Sequence, residues 1–132
     1  FYGSFMYLFG LIRKRCNVEV IPGVSSLMAS AAILETPLAA GNDILTVLPA
    51  PLADDALEKQ INMADAFAII KIGRHFSRIR RLLEKLGLLE NSVYIERATM
   101  KNERIVDIVD VVERDVPYFS IILVHKRKKA WL

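Results

Sequence analysis

Two short turns carry the residue types best suited to holding a ligand. In Ile21-Pro22-Gly23-Val24-Ser25-Ser26 an apolar run stops, a glycine follows a proline, and two hydroxyls open a segment rich in small residues. If a strand ends and a helix begins there, backbone N–H groups and serine hydroxyls converge on one spot and bind polar or anionic groups well. An ordinary turn with a serine cap uses the same residues. Lys71-Ile72-Gly73-Arg74-His75 closes a second apolar run, and ligands of open α/β sheets bind beyond the carboxyl ends of strands. Arg74 is followed by Arg78, Arg81 and Lys85, the last three spaced i, i+3, i+7 on one helical face. A polyanion would meet such a face. So would water, with Arg80 and Glu84 paired along the helix.

Other chemistries lack their residues. No paired catalytic carboxylates stand out, and H-E-x-x-H, P-loop, G-x-G-x-x-G and G-x-S-x-G patterns are absent. His75 and His125 are too far apart in sequence to suggest a shared metal, and none is expected. His75 sits in the basic loop, either solvated or against a substrate. His125 begins a basic tail and is expected to be inert. The single Cys16 excludes an internal disulfide framework and a Cys-cluster metal site, and it suits a reducing, cytoplasmic setting.

The chain has 132 residues, 53% hydrophobic and 25% charged, the balance of one globular unit or of one small domain with part of another. No apolar run approaches the roughly 18 to 20 residues of a membrane span, so no membrane partner is expected. Eighteen Lys and Arg face fifteen Asp and Glu. Four of the cations form the tail Lys126-Arg127-Lys128-Lys129, leaving the body close to neutral. The tail lacks the interleaved aromatic platform of a nucleic-acid surface, so no nucleic-acid partner is expected either.

These turns need elements to position them. Phe5, Leu8, Phe9 and Ile12 make one helical stripe, which predicts a helix over 3–15 closed by Arg13-Lys14-Arg15. Val18 to Ile21 reads as a short strand, and 25–35 as a helix ended by Thr36-Pro37. A hinge is expected at Ala39-Ala40-Gly41-Asn42-Asp43. Beyond it the pattern predicts a strand at 44–48, a helix at 54–63 with Asp54 and Asp55 at its positive end, and a central strand at 66–72. A helix capped by Ser77 and stopped by Gly87 follows. Strands at 93–97, 104–109 and 118–124 complete the chain, the first two joined as a hairpin. Alternation followed by a run of strands indicates an α/β fold with a mixed sheet. Phe1-Tyr2-Gly3-Ser4 resembles neither a signal peptide nor a targeting segment, and a chain that enters in mid-helix is expected to be a fragment.

In this order, Phe1-Tyr2-Gly3-Ser4, Pro22-Gly23-Val24-Ser25-Ser26, Lys71-Ile72-Gly73-Arg74-His75, Glu96-Arg97-Ala98-Thr99 and Pro117-Tyr118-Phe119-Ser120 resemble motifs of the tetrapyrrole methylases. The resemblance spans essentially the whole chain. It implies a two-domain α/β fold that binds S-adenosylmethionine in the cleft between domains. Residues 1–41 would be the rear of the N-terminal domain and 42–132 the C-terminal domain. The family's G-x-G-P-G-D loop, and the G-D-P expected just before Phe1, are missing.

The same resemblance implies cofactor contacts by Phe1, Ser25, Ser26, Ile72 and Ala98, with S-adenosylhomocysteine as product and no catalytic side chain. The G-R-H turn and the E-R-A-T-M run favour the branch that methylates C-20 of precorrin-2 in cobalamin biosynthesis over the uroporphyrinogen-III methylases. Arg74, His75 and Arg78 are candidates to meet the carboxylates of that substrate, since Arg binds carboxylate in a bidentate fork. A homodimer is implied as well. The competing expectations are a methylase-fold fragment or interaction domain that does not catalyse alone, and a sibling enzyme acting on another precorrin or on a protein in diphthamide formation.

Overall fold

Short β-branched runs bounded by prolines, glycines and acids become the strands of one mixed sheet. The computed structural model describes residues 3 to 127. Strands β1 (Leu45–Pro49), β2 (Ala66–Ile70), β3 (Ser92–Glu96), β4 (Arg104–Asp107) and β5 (Ser120–His125) lie in the order β1-β2-β5-β3-β4. β1 and β2 are parallel, and the other three neighbouring pairs are antiparallel. Because β2 and β3 both run opposite to β5, they run the same way as each other. Their carboxyl ends therefore meet the start of β5 at one edge of the sheet.

Among the described residues four α-helices accompany the sheet: α1 (Phe5–Ile12), α2 (Ser26–Ile33), α3 (Asp54–Met63) and α4 (Phe76–Lys85). The strand period of two sorts side chains onto two faces. Phe67 and Ile69 of β2, Tyr94 of β3 and Ile122 and Val124 of β5 face α3 and α4. There they form the main core with Leu57, Ile61, Ile79 and Leu83. The Phe76 ring meets Tyr94 edge-on at 5.7 Å and joins α4 to the sheet. On the opposite face Ala68 and Ile121 pack against Leu27 of α2. α3 begins on Asp54 and Asp55, which complement its positive end. α4 stops where Gly87 takes φ +68°, so that Leu88 N–H reaches the Leu83 carbonyl at 2.8 Å.

Several elements differ from their sequence pattern. Residues 18–21 form no strand, and Val20 and Ile21 are exposed. A β-branched run becomes a strand only when its backbone groups find a ladder, and none of the described strands pairs with it. α1 is shorter than its stripe suggests and buries none of its residues; Phe5, Met6, Tyr7, Leu8 and Leu11 are exposed. Ser77 does not cap α4. Its hydroxyl lies 2.7 Å from Glu113 Oε2, and α4 continues directly from a 3-10 turn over Gly73–His75. No helix among the described residues is long and apolar enough to cross a membrane.

His125 is not an inert tail residue. It ends β5, is buried, and places Nε2 2.8 Å from Asp43 Oδ2. Its Nδ1 accepts the Arg127 N–H at 3.2 Å, which leaves a proton on Nε2 to donate to Asp43. The Asp43 side chain is 3% exposed and also accepts from the Ala40 N–H at 3.0 Å and from the Arg127 guanidinium. The predicted hinge is thus pinned to the last strand by one carboxylate. Asp43→Ala strands these donors and is expected to lower the unfolding free energy by about 2 kcal/mol. Urea denaturation measures this, and an unchanged midpoint would show that the carboxylate does not hold the hinge.

Candidate functional site

The edge where β2 and β3 end and β5 begins is hollow. A cavity of about 270 Å³ lies between α2 and the sheet, with Ile70, Ile95 and Ile121 on its sheet side and Ser26, Leu27 and Ser30 on its helix side. Its rim comes from the β3–β4 turn and the segment before β5: Arg97, Ala98, Met100, Tyr118 and Phe119. The volume lies just below the usual ligand-pocket range of about 300 to 1,000 Å³. It suits the flat, largely apolar part of a ligand better than an entire one. A second apolar cavity of about 330 Å³ lies at the other end of the strands, beside Leu34, Pro37, Val93 and His125. It is larger but touches none of the turns singled out in the sequence.

Left-handed backbone gathers around the first cavity. Lys71 (φ 58°), which follows β2, and Arg97 (φ 52°), which follows β3, both line it, and Thr99 (φ 66°) is next to Ala98. A non-glycine residue in this region costs on the order of 1–3 kcal/mol and persists only where its surroundings impose it. The surroundings of the second turn are explicit. Arg97 N–H donates to the Phe119 carbonyl at 2.8 Å, Met100 N–H to the Arg97 carbonyl at 2.9 Å, and Thr99 N–H to Glu103 Oε2 at 2.5 Å.

A buried carboxylate anchors the same turn. Glu96, 4% exposed, accepts from the Tyr94 hydroxyl at 2.7 Å and from Arg97 Nη1 at 2.7 Å, with Arg104 Nη1 at 3.8 Å on the neighbouring strand. Burial, followed by the adjacent Glu96 carboxylate, pushes the Tyr94 phenol well above its ordinary range. Tyr94 is therefore a neutral donor at any working pH. This network left little signal in the sequence beyond the Tyr-x-Glu-Arg spacing, which places Tyr94 and Glu96 on one face of a strand.

The sequence-predicted residues divide into three groups. Ser26 and Ala98 both line the cavity, although 72 positions separate them in the sequence (98 − 26). Ser25 stands outside it and caps α2, its Oγ accepting from Met28 N–H at 3.4 Å. Ile72 is fully buried in the main core behind Lys71, so only its backbone neighbours reach the cavity. Phe1 lies outside the described residues. Arg74 is exposed and His75 half-buried in the 3-10 turn beyond β2. Arg78 is committed elsewhere. Its guanidinium pairs with Asp54 and with the Ala50 carbonyl, tying α4 to the start of α3. The cationic face is likewise shared with acids, Lys85 meeting Glu58 at 2.7 Å. Ser30, Tyr118 and Phe119 line the cavity without having been selected as site residues; Ser30 follows Ser26 at i+4 on one helix face.

The sequence and the mixed α/β sheet match a known class. A family model described as "Tetrapyrrole (Corrin/Porphyrin) Methylases" matches residues 1–110, and the chain belongs to that family. Precorrin-2 C(20)-methyltransferase of Sinorhizobium sp is 39% identical over 124 residues, covering 94% of this chain and 51% of that protein. Cobalt-precorrin-2 C(20)-methyltransferase of Salmonella typhimurium is 33% identical over 125 residues, covering 92% of this chain and 53% of that protein. The chain thus spans about half the length of these curated relatives. Among solved structures, uroporphyrin-III C-methyltransferase from Thermus thermophilus, complexed with S-adenosylhomocysteine, superposes with a TM-score of 0.61. Sequence identity there is 24%, over 94% of this chain and 60% of that one; the likeness is one of fold.

Tyr94→Phe leaves the buried Glu96 one donor short. The expected loss is about 1–3 kcal/mol of unfolding free energy, read from chemical denaturation, and a neutral result would show that Glu96 does not need the phenol.

Proposed function

We propose that the polypeptide carrying this sequence is an S-adenosylmethionine-dependent methyltransferase that methylates C-20 of precorrin-2 in cobalamin biosynthesis. In this reading the cavity under α2 receives the adenosine part of its cofactor. One observation carries it: Ser26 and Ala98, far apart in sequence, face one hollow at the carboxyl ends of β2 and β3 in a chain of the methylase family. Residues 1–41 then belong to the first domain of the enzyme and 42–132 form the second, with the cofactor between them. A cytoplasmic homodimer completes the reading.

When bound, the cofactor supplies the reactivity, an electrophilic methyl group on sulfonium sulfur. The chain's share is placement. Ile70, Ile95 and Ile121 give an apolar wall that excludes water, and Ala98 keeps the rim free of bulk. Arg74 and His75 follow β2 at the same edge of the sheet and serve as carboxylate contacts for the tetrapyrrole. Arg78 holds the platform beneath them through Asp54 and Ala50. No side-chain nucleophile is required, in keeping with a site built from apolar walls and turn backbone.

Calorimetry with S-adenosylmethionine and S-adenosylhomocysteine on the full-length polypeptide tests the cofactor. Mass analysis after incubation with precorrin-2 and with its cobalt complex tests the substrate, the expected product gaining one methyl group. Ala98→Phe fills the hollow and is expected to weaken both cofactor forms roughly tenfold or more; full affinity in that variant would move the site elsewhere. Arg74→Ala is expected to raise the KM for the tetrapyrrole about tenfold at unchanged cofactor affinity. An unaltered KM removes Arg74 from the substrate surface.

A further inference from the structure

Ser30 is wholly buried in the middle of α2, and its hydroxyl has no hydrogen-bond partner among the described residues. That is unusual on two counts. Buried hydroxyls nearly always find a partner, and a mid-helix serine has one within reach in the carbonyl four residues back, here that of Ser26. A helix-facing core position is better filled by alanine, which has the higher helix propensity and no polar atom to desolvate. Alanine occupies the positions on either side, Ala29 and Ala31. The serine is thus locally unfavourable in the ligand-free fold, and it lines the same cavity as Ser26 and Ala98. The rest of the deep wall is Ile70, Ile95 and Ile121, which offer no polar side-chain atom. Of the other two serines on the wall, Ser26 is exposed, and Ser120 is already engaged, its Oγ donating to the Pro117 carbonyl at 2.7 Å.

We infer that Ser30 is a ligand-binding residue whose hydroxyl hydrogen-bonds the polar edge of the purine of an adenosine-type ligand. The inference rests on the cofactor reading of this cavity and adds to it the group that recognises the ring. A flat ring with an apolar face and a nitrogen-bearing edge satisfies all of the wall at once. The aliphatic residues and Met100 cover its faces, and Ser30 meets its edge. A purely aliphatic occupant would leave the hydroxyl unpaired, and a charged group would be desolvated among the isoleucines.

The test compares Ser30→Ala with the native residue in the full-length polypeptide, using adenosine and S-adenosylhomocysteine as calorimetric probes and thermal unfolding without ligand. Removal of an unpaired hydroxyl is expected to raise the ligand-free melting temperature. It should also weaken adenosine and S-adenosylhomocysteine by the same factor, roughly five- to tenfold. Ser30→Thr, which keeps the hydroxyl, should lose less affinity than Ser30→Ala. A lower melting temperature for Ser30→Ala would mean that the hydroxyl has a structural partner, and the inference falls. It falls as well if Ser30→Ala binds both probes as the native protein does, or loses affinity for S-adenosylhomocysteine alone; in those cases the cofactor reading survives. If the native protein binds neither probe, the cofactor reading fails and takes this inference with it.

Discussion

The last strand holds the sheet together. β5 lies between β2 and β3, so that without it the sheet separates into a parallel pair, β1-β2, and a hairpin, β3-β4. Its partners in β2 lie more than fifty positions back along the chain, as in Ala66 with His125. Contacts of that separation form only after large loops have closed, so the sheet and everything built on it wait for β5 to pair. The buried Asp43–His125 contact fixes the far end of β5, and the segment Pro117–Phe119 fixes its near end against the turn after β3 through Arg97 and Phe119.

The hollow under α2 is a consequence of that arrangement. Two strands ending beside the start of a third leave three sets of turn backbone at one edge, and the turns after β2 and β3 adopt left-handed conformations at the non-glycine residues Lys71, Arg97 and Thr99 as well as at Gly73. In the turn after β3 the cost is offset by hydrogen bonds and by the buried Glu96 carboxylate, which satisfies Tyr94 and Arg97 together. A rigid, partly strained rim around an apolar hollow is what a site needs when its task is to orient a reactive ligand rather than to supply a reactive side chain.

Much of this was legible in the sequence, for physical reasons that differ by element. β2 announces itself because it is buried on both faces and reads Ala-Phe-Ala-Ile-Ile. α3 and α4 do so through their apolar period and the acids at the α3 start. The stretch 18–21 misled because propensity alone cannot supply a pairing partner. Ser77 misled because a 3-10 turn starting at Gly73 had already begun the helix four residues earlier. The cavity was legible only in part. Ser26 and Ala98 stood out through motif resemblance, whereas Ser30 looks like one more small residue in a small-residue helix until its burial is seen. Arg78 looked like a ligand contact because a charge series does not reveal that Asp54 and the Ala50 carbonyl already hold it. His125 looked peripheral because its partner Asp43 lies 82 positions away.

Our proposal comes down to one physical claim, that the edge shared by β2, β3 and β5 is shaped for the adenosine of a methyl donor. A crystal structure of the full-length polypeptide grown with S-adenosylhomocysteine tests it most directly. The account predicts adenine density between α2 and the sheet, with Ala98 against one face of the ring and Ser30 at its edge. Adenine bound at the opposite end of the strands, beside Leu34 and His125, or outside the sheet altogether, would contradict it.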